Sequence, residues 1–171
     1  MLERMTATIE ETLNNLLVKL FKDLMEIEGK VLVSGEYNDI SNNDMHIIEA
    51  IGVDEPKKMS AIAKLMSVTT GTLTKAMDAL DAKGYVTRVR CVDDKRVVRV
   101  SLTEKGVGAF YHHEQFHRQM IEHIKEGLTD DEMTAVVCAL AKLTDYFQNI
   151  YDEENEEKQY KNWNSIKEDN I

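Results

Sequence analysis

Residues 69–102 read TTGTLTKAMDALDAKGYVTRVRCVDDKRVVRVSL, and two hydrophobic periods meet inside them. From Thr70 to about Lys83 the apolar residues Leu73, Met77 and Leu80 recur at helical spacing. Thr69 suits the N-cap of that helix, and Gly84 suits its end. At Tyr85 the period becomes two. Tyr85–Arg90 alternates and ends at Cys91 or Val92, and Val97–Leu102 alternates again. Asp93, Asp94, Lys95 and Arg96 lie between the runs as a polar hairpin tip. The stretch predicts a helix followed at once by a β-ribbon with a charged end.

Upstream, Met59–Met66 predicts a short helix with Ile62, Leu65 and Met66 facing inward. Ser67 and Val68 leave room only for a tight turn before Thr69. Such a connection is the geometry that pushes a second helix into a DNA groove. Further back, Ser41 and Asp44 form a capping pattern for a helix that carries Met45, Ile48 and Ile51 and ends before Gly52 and Pro56. A long amphipathic helix precedes it, from about Thr6 to Leu32, with Ile9, Leu13, Leu16, Leu17, Leu20, Phe21 and Leu24 on its stripe.

Downstream, Thr103 caps a fifth helix despite Gly106 and Gly108. It carries Phe110, Phe116, Met120, Ile121 and Ile124 and ends at Gly127. Thr129 and Glu132 make a capping box for a last helix through Met133, Val136, Val137, Leu140, Leu143, Phe147 and Ile150. The expected fold is mainly α with a small β-hairpin wing. Its expected divisions are an N-terminal dimerisation helix (1–34), a winged helix–turn–helix domain (35–102), C-terminal dimerisation helices (103–151) and an acidic, loosely ordered tail (152–171).

The chain of 171 residues is long enough for one domain with dimerisation arms. Its mean hydropathy of −0.39 and lack of a long uncharged apolar run speak against a membrane span. Acids stand where a signal peptide needs its apolar core, so the chain is expected in the cytoplasm, with Cys91 and Cys138 as reduced thiols. The net charge of −10 argues against a polyanion partner, but its distribution argues for one. Lys57–Lys105 holds 11 Lys and Arg against 5 Asp and Glu, a local charge of +6, while the remainder holds 10 against 26. A basic segment in an acidic body is the footprint of a nucleic-acid-binding module, or of a solvated surface patch.

The order of motifs resembles the MarR-type transcriptional regulators. Met59–Leu65 is similar to the first helix of that family's reader motif, and Thr69–Lys75 to the start of its recognition helix. Leu80–Val86 resembles the motif that ends the helix, and Asp93–Arg96 with Ser101–Gly106 resembles the wing and the following helix start. Asp44–Ile48, Arg88–Arg90, Arg96–Val98 and Phe116–Met120 are similar to a branch that represses fatty-acid synthesis. The resemblance implies a homodimer on double-stranded DNA, and for that branch an acylated acyl carrier protein as co-repressor.

The candidate DNA-binding residues are Thr69, Thr70, Gly71, Thr72, Thr74, Lys75, Arg88, Arg90, Asp94, Lys95 and Arg96. Hydroxyls and a lysine at a helix N-terminus suit phosphates and base edges in the major groove. Lys95 or Arg96 suits a narrow minor groove, where negative potential favours a cation. Asp93 or Asp94 is better placed to hold an arginine. Arg88, Arg90 and Arg99 alternate along the ribbon, so some are expected to face phosphates and others to be plain surface charges.

For the effector, the helix stripes suggest an apolar pocket lined by Leu17, Phe21, Met45, His46, Phe110 and Phe116. No cofactor is expected. Two rival readings concern the histidines. His113-Glu114-Gln115-Phe116-His117 fits the H-E-x-x-H pattern of zinc hydrolases, though a His- and Glu-rich helix produces it by accident. The family resemblance also allows a regulatory zinc site, with His46, His113 and His117 converging and Glu49 or Glu114 supplying an oxygen. The plain alternative is that His46 and His117 are buried packing residues.

Overall fold

The computed structural model describes the backbone of residues 2–168 except Ser34 and Lys95, and the side chains of residues 8–153 except those two. In chain order the elements are α1 (Leu2–Val31), a 3-10 turn (Gly35–Tyr37), α2 (Asn42–Ile51), β1 (Lys57–Lys58), α3 (Met59–Leu65) and α4 (Thr70–Ala82). They continue with β2 (Val86–Arg90), β3 (Val98–Leu102), α5 (Glu104–Glu126) and α6 (Asp130–Glu168). The fold is mainly helical with a small antiparallel sheet in the order β1-β3-β2. The chain falls into two compact units, residues 1–119 and 120–171.

In the first unit the helix starts follow the caps. Ser41 accepts from the Asp44 amide while the Asp44 carboxylate accepts from the Ser41 amide, which fixes the start of α2. Thr69 Oγ1 accepts from the Thr72 amide at 3.1 Å and starts α4. The turn before it puts Ser67 at φ 53°, and Gly84 after α4 takes φ 76°. Leu73, Met77 and Leu80 are buried, as the helical spacing predicts. They pack in a core with Met45, Ile47, Ile48, Ile51, Ile62, Tyr85 and Val100.

The wing pairs Val86 with Leu102 through Arg90 with Val98. The sequence reading missed β1, whose two residues add an edge at Lys57↔Val100 and Lys58↔Arg99. Two lysines carry no periodicity, so only the pairing reveals them. Leu65 also departs from expectation, since it is 62% exposed. Ile62 and Ala63 are buried and Met66 is half-buried, so α3 faces inward between them. Leu65 lies about 110° from that direction at 3.6 residues per turn.

Thr103 Oγ1 accepts from the Gly106 amide at 3.2 Å and caps α5. The buried stripe of α5 is Gly106, Ala109 and His113, with Phe110 and Phe116 packed against the core. Ile121 and Ile124 are exposed rather than on a buried stripe. Gly106 is there because α5 crosses the wing base closely: a Cβ would lie 2.0 Å from the Tyr85 carbonyl oxygen. The Tyr85 hydroxyl donates to Asp39 at 2.6 Å, and Lys105 donates to the same carboxylate at 3.1 Å while lying over the Tyr85 ring. The Tyr85 hydroxyl holds the Asp39 carboxyl below its usual range, and burial, with Asp39, pushes the Tyr85 phenol up.

In the second unit, Thr129 and Glu132 cap α6 reciprocally, as the capping pattern predicts. The acidic stretch expected to leave the helix at Asp152 stays in α6 as far as Glu168. No Gly or Pro follows Gly127, and Glu, Lys and Gln are good helix formers. Gln148 also donates to Asp152 one turn on, at 3.0 Å. Residues 169–171 lie outside the described residues.

Candidate nucleic-acid interface and histidine cluster

α4 buries one stripe, meets Arg88 of β2 at Asp78 and Asp81, and leaves the outer face of its first two turns open. Thr70, Gly71, Thr72, Thr74 and Lys75 are all exposed at its first two turns. Thr69 is committed to capping, with its Oγ1 also 2.9 Å from Thr72 Oγ1. Thr74 donates to the Thr70 carbonyl at 2.8 Å, which leaves its oxygen free to accept. A Cβ on Gly71 would meet only Thr69 Oγ1, at 3.7 Å, so this face admits a close approach. A helix start suits phosphate, and here the Thr72 amide is already taken by Thr69 Oγ1, which leaves the exposed hydroxyls and Lys75 as the side-chain donors.

The ribbon sorts its arginines. Arg90 and Arg96 are exposed. The Arg96 side chain is 92% exposed, and Asp94 Oδ1 accepts from both its amide, at 3.0 Å, and its Nε, at 3.2 Å. These bonds, the amide first, hold the Asp94 carboxyl below its usual range. Asp94 therefore presents Arg96, the structural role the sequence suggested for an acid here, though through one oxygen rather than two. Lys95 lies outside the described residues. Arg99 donates to the Pro56 carbonyl at 3.1 Å. Arg88, expected among the phosphate-facing candidates, is engaged elsewhere: its guanidinium reaches Asp78 and Asp81 of α4.

The expected apolar pocket is only partly assembled. Met45 is buried and Phe110 and Phe116 pack against the core, but Leu17 is half-buried and Phe21 exposed on α1, outside that cluster. His46 lies among polar groups instead. His117 Nε2 is 3.1 Å from His113 Nε2 and 3.4 Å from Glu28 Oε1. His46 Nε2 is 3.6 Å from Glu28, and His46 Nδ1 and His113 Nδ1 lie 3.6 and 3.7 Å from Glu49. Two groups thus have metal-ligand spacing, Glu28 with His113 and His117, and His46 with Glu49 and His113. Of the three histidines His113 is the buried one, with a side chain 2% exposed, while His46 and His117 are half-buried. Burial pushes the His113 imidazole below its ordinary value.

Glu28 was missed by the sequence reading. Its side chain is 3% exposed, and Asn42 donates to it at 3.2 Å. The available signal was an acid on the apolar stripe of α1, four residues after Leu24 and four before Leu32. Glu114, the base of the H-E-x-x-H pattern, pairs with Arg118 at 3.2 Å and belongs to neither ligand group.

A recognition helix with a free polar face, followed by a β-ribbon that presents arginines, defines a winged helix–turn–helix DNA-binding regulator. The sequence profile of the MarR family matches residues 40–98. The crystal structure of Streptococcus pneumoniae FabT in complex with DNA is 33% identical at a TM-score of 0.79, covering 82% of this chain and 99% of that one. A variant of Escherichia coli MarR complexed with operator DNA is 25% identical at a TM-score of 0.61, covering 77% and 93%. The Bacillus subtilis protein YpoP, described as an uncharacterised HTH-type transcriptional regulator, is 26% identical over 131 residues, 77% of this chain and 90% of its own. The chain belongs to the MarR family of DNA-binding transcriptional regulators. No described helix is long and apolar enough to cross a membrane.

Proposed function

We propose that the chain is a homodimeric repressor that reads a palindromic operator. The observation that carries this is the open Thr70–Lys75 face of α4 beside the exposed Arg90 and Arg96 of the wing. Thr70, Gly71, Thr72, Thr74 and Lys75 meet phosphates and base edges in the major groove, while Arg96, or Lys95 before it in the sequence, enters the minor groove. One such module grips little DNA. Ile9, Leu13, Leu16, Leu20 and Phe21 of α1 are exposed, and so, separately, are Val137, Leu140 and Phe147 of α6. A second copy of the chain covers these residues and sets two half-sites about 34–36 Å apart. Selection of a duplex from a random pool tests the reading. A palindrome is the expected result, and recovery of no preferred sequence refutes it.

The resemblance of Asp44–Ile48, Arg88–Arg90, Arg96–Val98 and Phe116–Met120 to the branch that represses fatty-acid synthesis supports an acyl group on acyl carrier protein as co-repressor. A second reading, zinc, is favoured by the group of Glu28, His113 and His117. A tetrahedral zinc with bonds near 2.05 Å has its ligand atoms about 3.3 Å apart. The separations of 3.1 Å between His113 and His117 Nε2 and 3.4 Å between His117 Nε2 and Glu28 Oε1 match that edge, while His46 falls in the other group, with Glu49 and His113. Glu28 is buried with Asn42, His46 and His117 around it, a donor set that a metal would join. Zinc would act by preferring one arrangement of α1, α2 and α5 over another. Operator binding, titrated with acylated carrier protein and separately with zinc against a chelator, separates the two. A response to zinc alone, lost in His117→Ala, overturns the acyl reading. An acyl response with none to zinc overturns the metal reading.

A further inference from the structure

Arg88 alternates with Arg90 along β2, so the ribbon pattern alone offers both to phosphates. The structure turns Arg88 toward α4 instead. Its Nη1 lies 2.6 Å from Asp78 Oδ1, its Nη2 2.8 Å from Asp81 Oδ2 and its Nε 2.9 Å from the same oxygen. The Arg88 side chain is only 29% exposed. Asp78 and Asp81 sit three residues apart on α4, and Asp78 falls three residues after Lys75. Two carboxylates this close to a phosphate-facing surface repel DNA unless a cation offsets them. One guanidinium spans both because its donors form a rigid fork, which an ammonium does not.

We propose that Arg88 is a positioning residue for DNA binding: it locks the wing strand β2 to the C-terminal half of the recognition helix and offsets Asp78 and Asp81. The wing's DNA-facing cations are then Arg90 and Arg96. The inference rests on the DNA-docking reading above and deepens it. It carries an outcome opposed to simple charge counting: removing the two negative charges weakens selective DNA binding, because the wing loses its fixed distance from α4.

The test uses the full chain and a duplex selected by the wild-type protein, with a random duplex as control. Binding is followed by fluorescence anisotropy across a salt series, and thermal melts check that each variant is folded. Asp78→Asn/Asp81→Asn is expected to lower the ratio of selected to random affinity about tenfold. Adding Arg88→Ala to that background is expected to change little, since the fork has nothing left to hold. Arg88→Lys is expected to bind the selected duplex as poorly as Arg88→Ala. In all of these variants the slope of log affinity against log salt is expected to stay at the wild-type value. A direct phosphate contact predicts otherwise: the slope falls by about 0.9 per contact in Arg88→Ala and is restored by Arg88→Lys. That result, or unchanged selectivity in Asp78→Asn/Asp81→Asn, overturns the clamp and leaves DNA binding standing. A wild-type protein that selects no duplex overturns both.

Discussion

Replacing Gly106 with alanine tests how closely α5 is bound to the wing. The added Cβ would sit 2.0 Å from the Tyr85 carbonyl oxygen and 3.1 Å from its carbon. Both are backbone atoms, so no rotamer change relieves the clash. Clearing it requires α5 and the wing base to separate by at least about 1 Å. That carbonyl also accepts the Thr103 amide at 3.0 Å, and a shift of this size breaks the bond. Overpacking costs about 1–3 kcal/mol and the lost hydrogen bond about 1 kcal/mol more. The expected loss is about 2–4 kcal/mol, or a Tm roughly 5–15 °C lower for a chain of this length. Urea and thermal melts by circular dichroism at one fixed protein concentration measure it. Two internal controls come from the same chain. At Gly108 the added Cβ meets the end of the Tyr37 side chain at 2.8 Å, which can swing away, so Gly108→Ala should cost less. At Gly71 it meets nothing closer than 3.7 Å, so Gly71→Ala should gain about 0.5–1 kcal/mol of helix stability while lowering operator affinity. A Gly106→Ala protein that melts within about 1 °C of the wild type would refute the close-crossing argument.

Arg96→Ala should weaken operator binding and reduce the salt slope by about 1 per wing, measured by anisotropy across a salt series; an unchanged slope removes Arg96 from the DNA. Lys75→Ala should weaken binding to the selected duplex with a smaller loss of sequence preference, which parallel titrations on selected and random duplexes report. Sedimentation should show a dimer at micromolar concentration, and Leu13→Glu or Phe147→Glu should shift it toward monomer; a stable wild-type monomer refutes the dimer. With chelator present, stability should fall as pH drops below 6.5, the ordinary histidine value. The sign follows from burial, which lowers the folded-state value for His113, so the unfolded chain binds more protons there. Denaturation midpoints between pH 5 and 8 should show a slope that flattens in His113→Gln.

Short-range patterns in the sequence were enough for much of the architecture. The Leu73, Met77 and Leu80 stripe placed the inner face of α4, and the Ser41–Asp44 and Thr129–Glu132 pairs placed two helix starts. The change from helical to alternating period at Tyr85 placed the wing. Each depends on residues within about four positions of one another, so geometry along a single helix or strand decides it. The candidate surface Thr70–Lys75 was legible for the same reason, because residues off a buried stripe face outward.

What the sequence could not supply were facts about neighbours far along the chain. Arg88 looks like Arg90 until Asp78 and Asp81 are seen beside it. Glu28 looks like one more acid on an acidic helix until α1 brings it against His46 and His117. Lys57 and Lys58 have no strand signature of their own and become β1 only by pairing with β3. Leu65 reads as core because it is apolar, yet the facing of α3 is fixed by Ile62 and Ala63. Gly106 looks like a poor helix residue until the Tyr85 backbone fills the space where its side chain would be. Burial, ion pairing and close approach are set by where the elements pack, and packing joins residues with no fixed spacing for a local pattern to record.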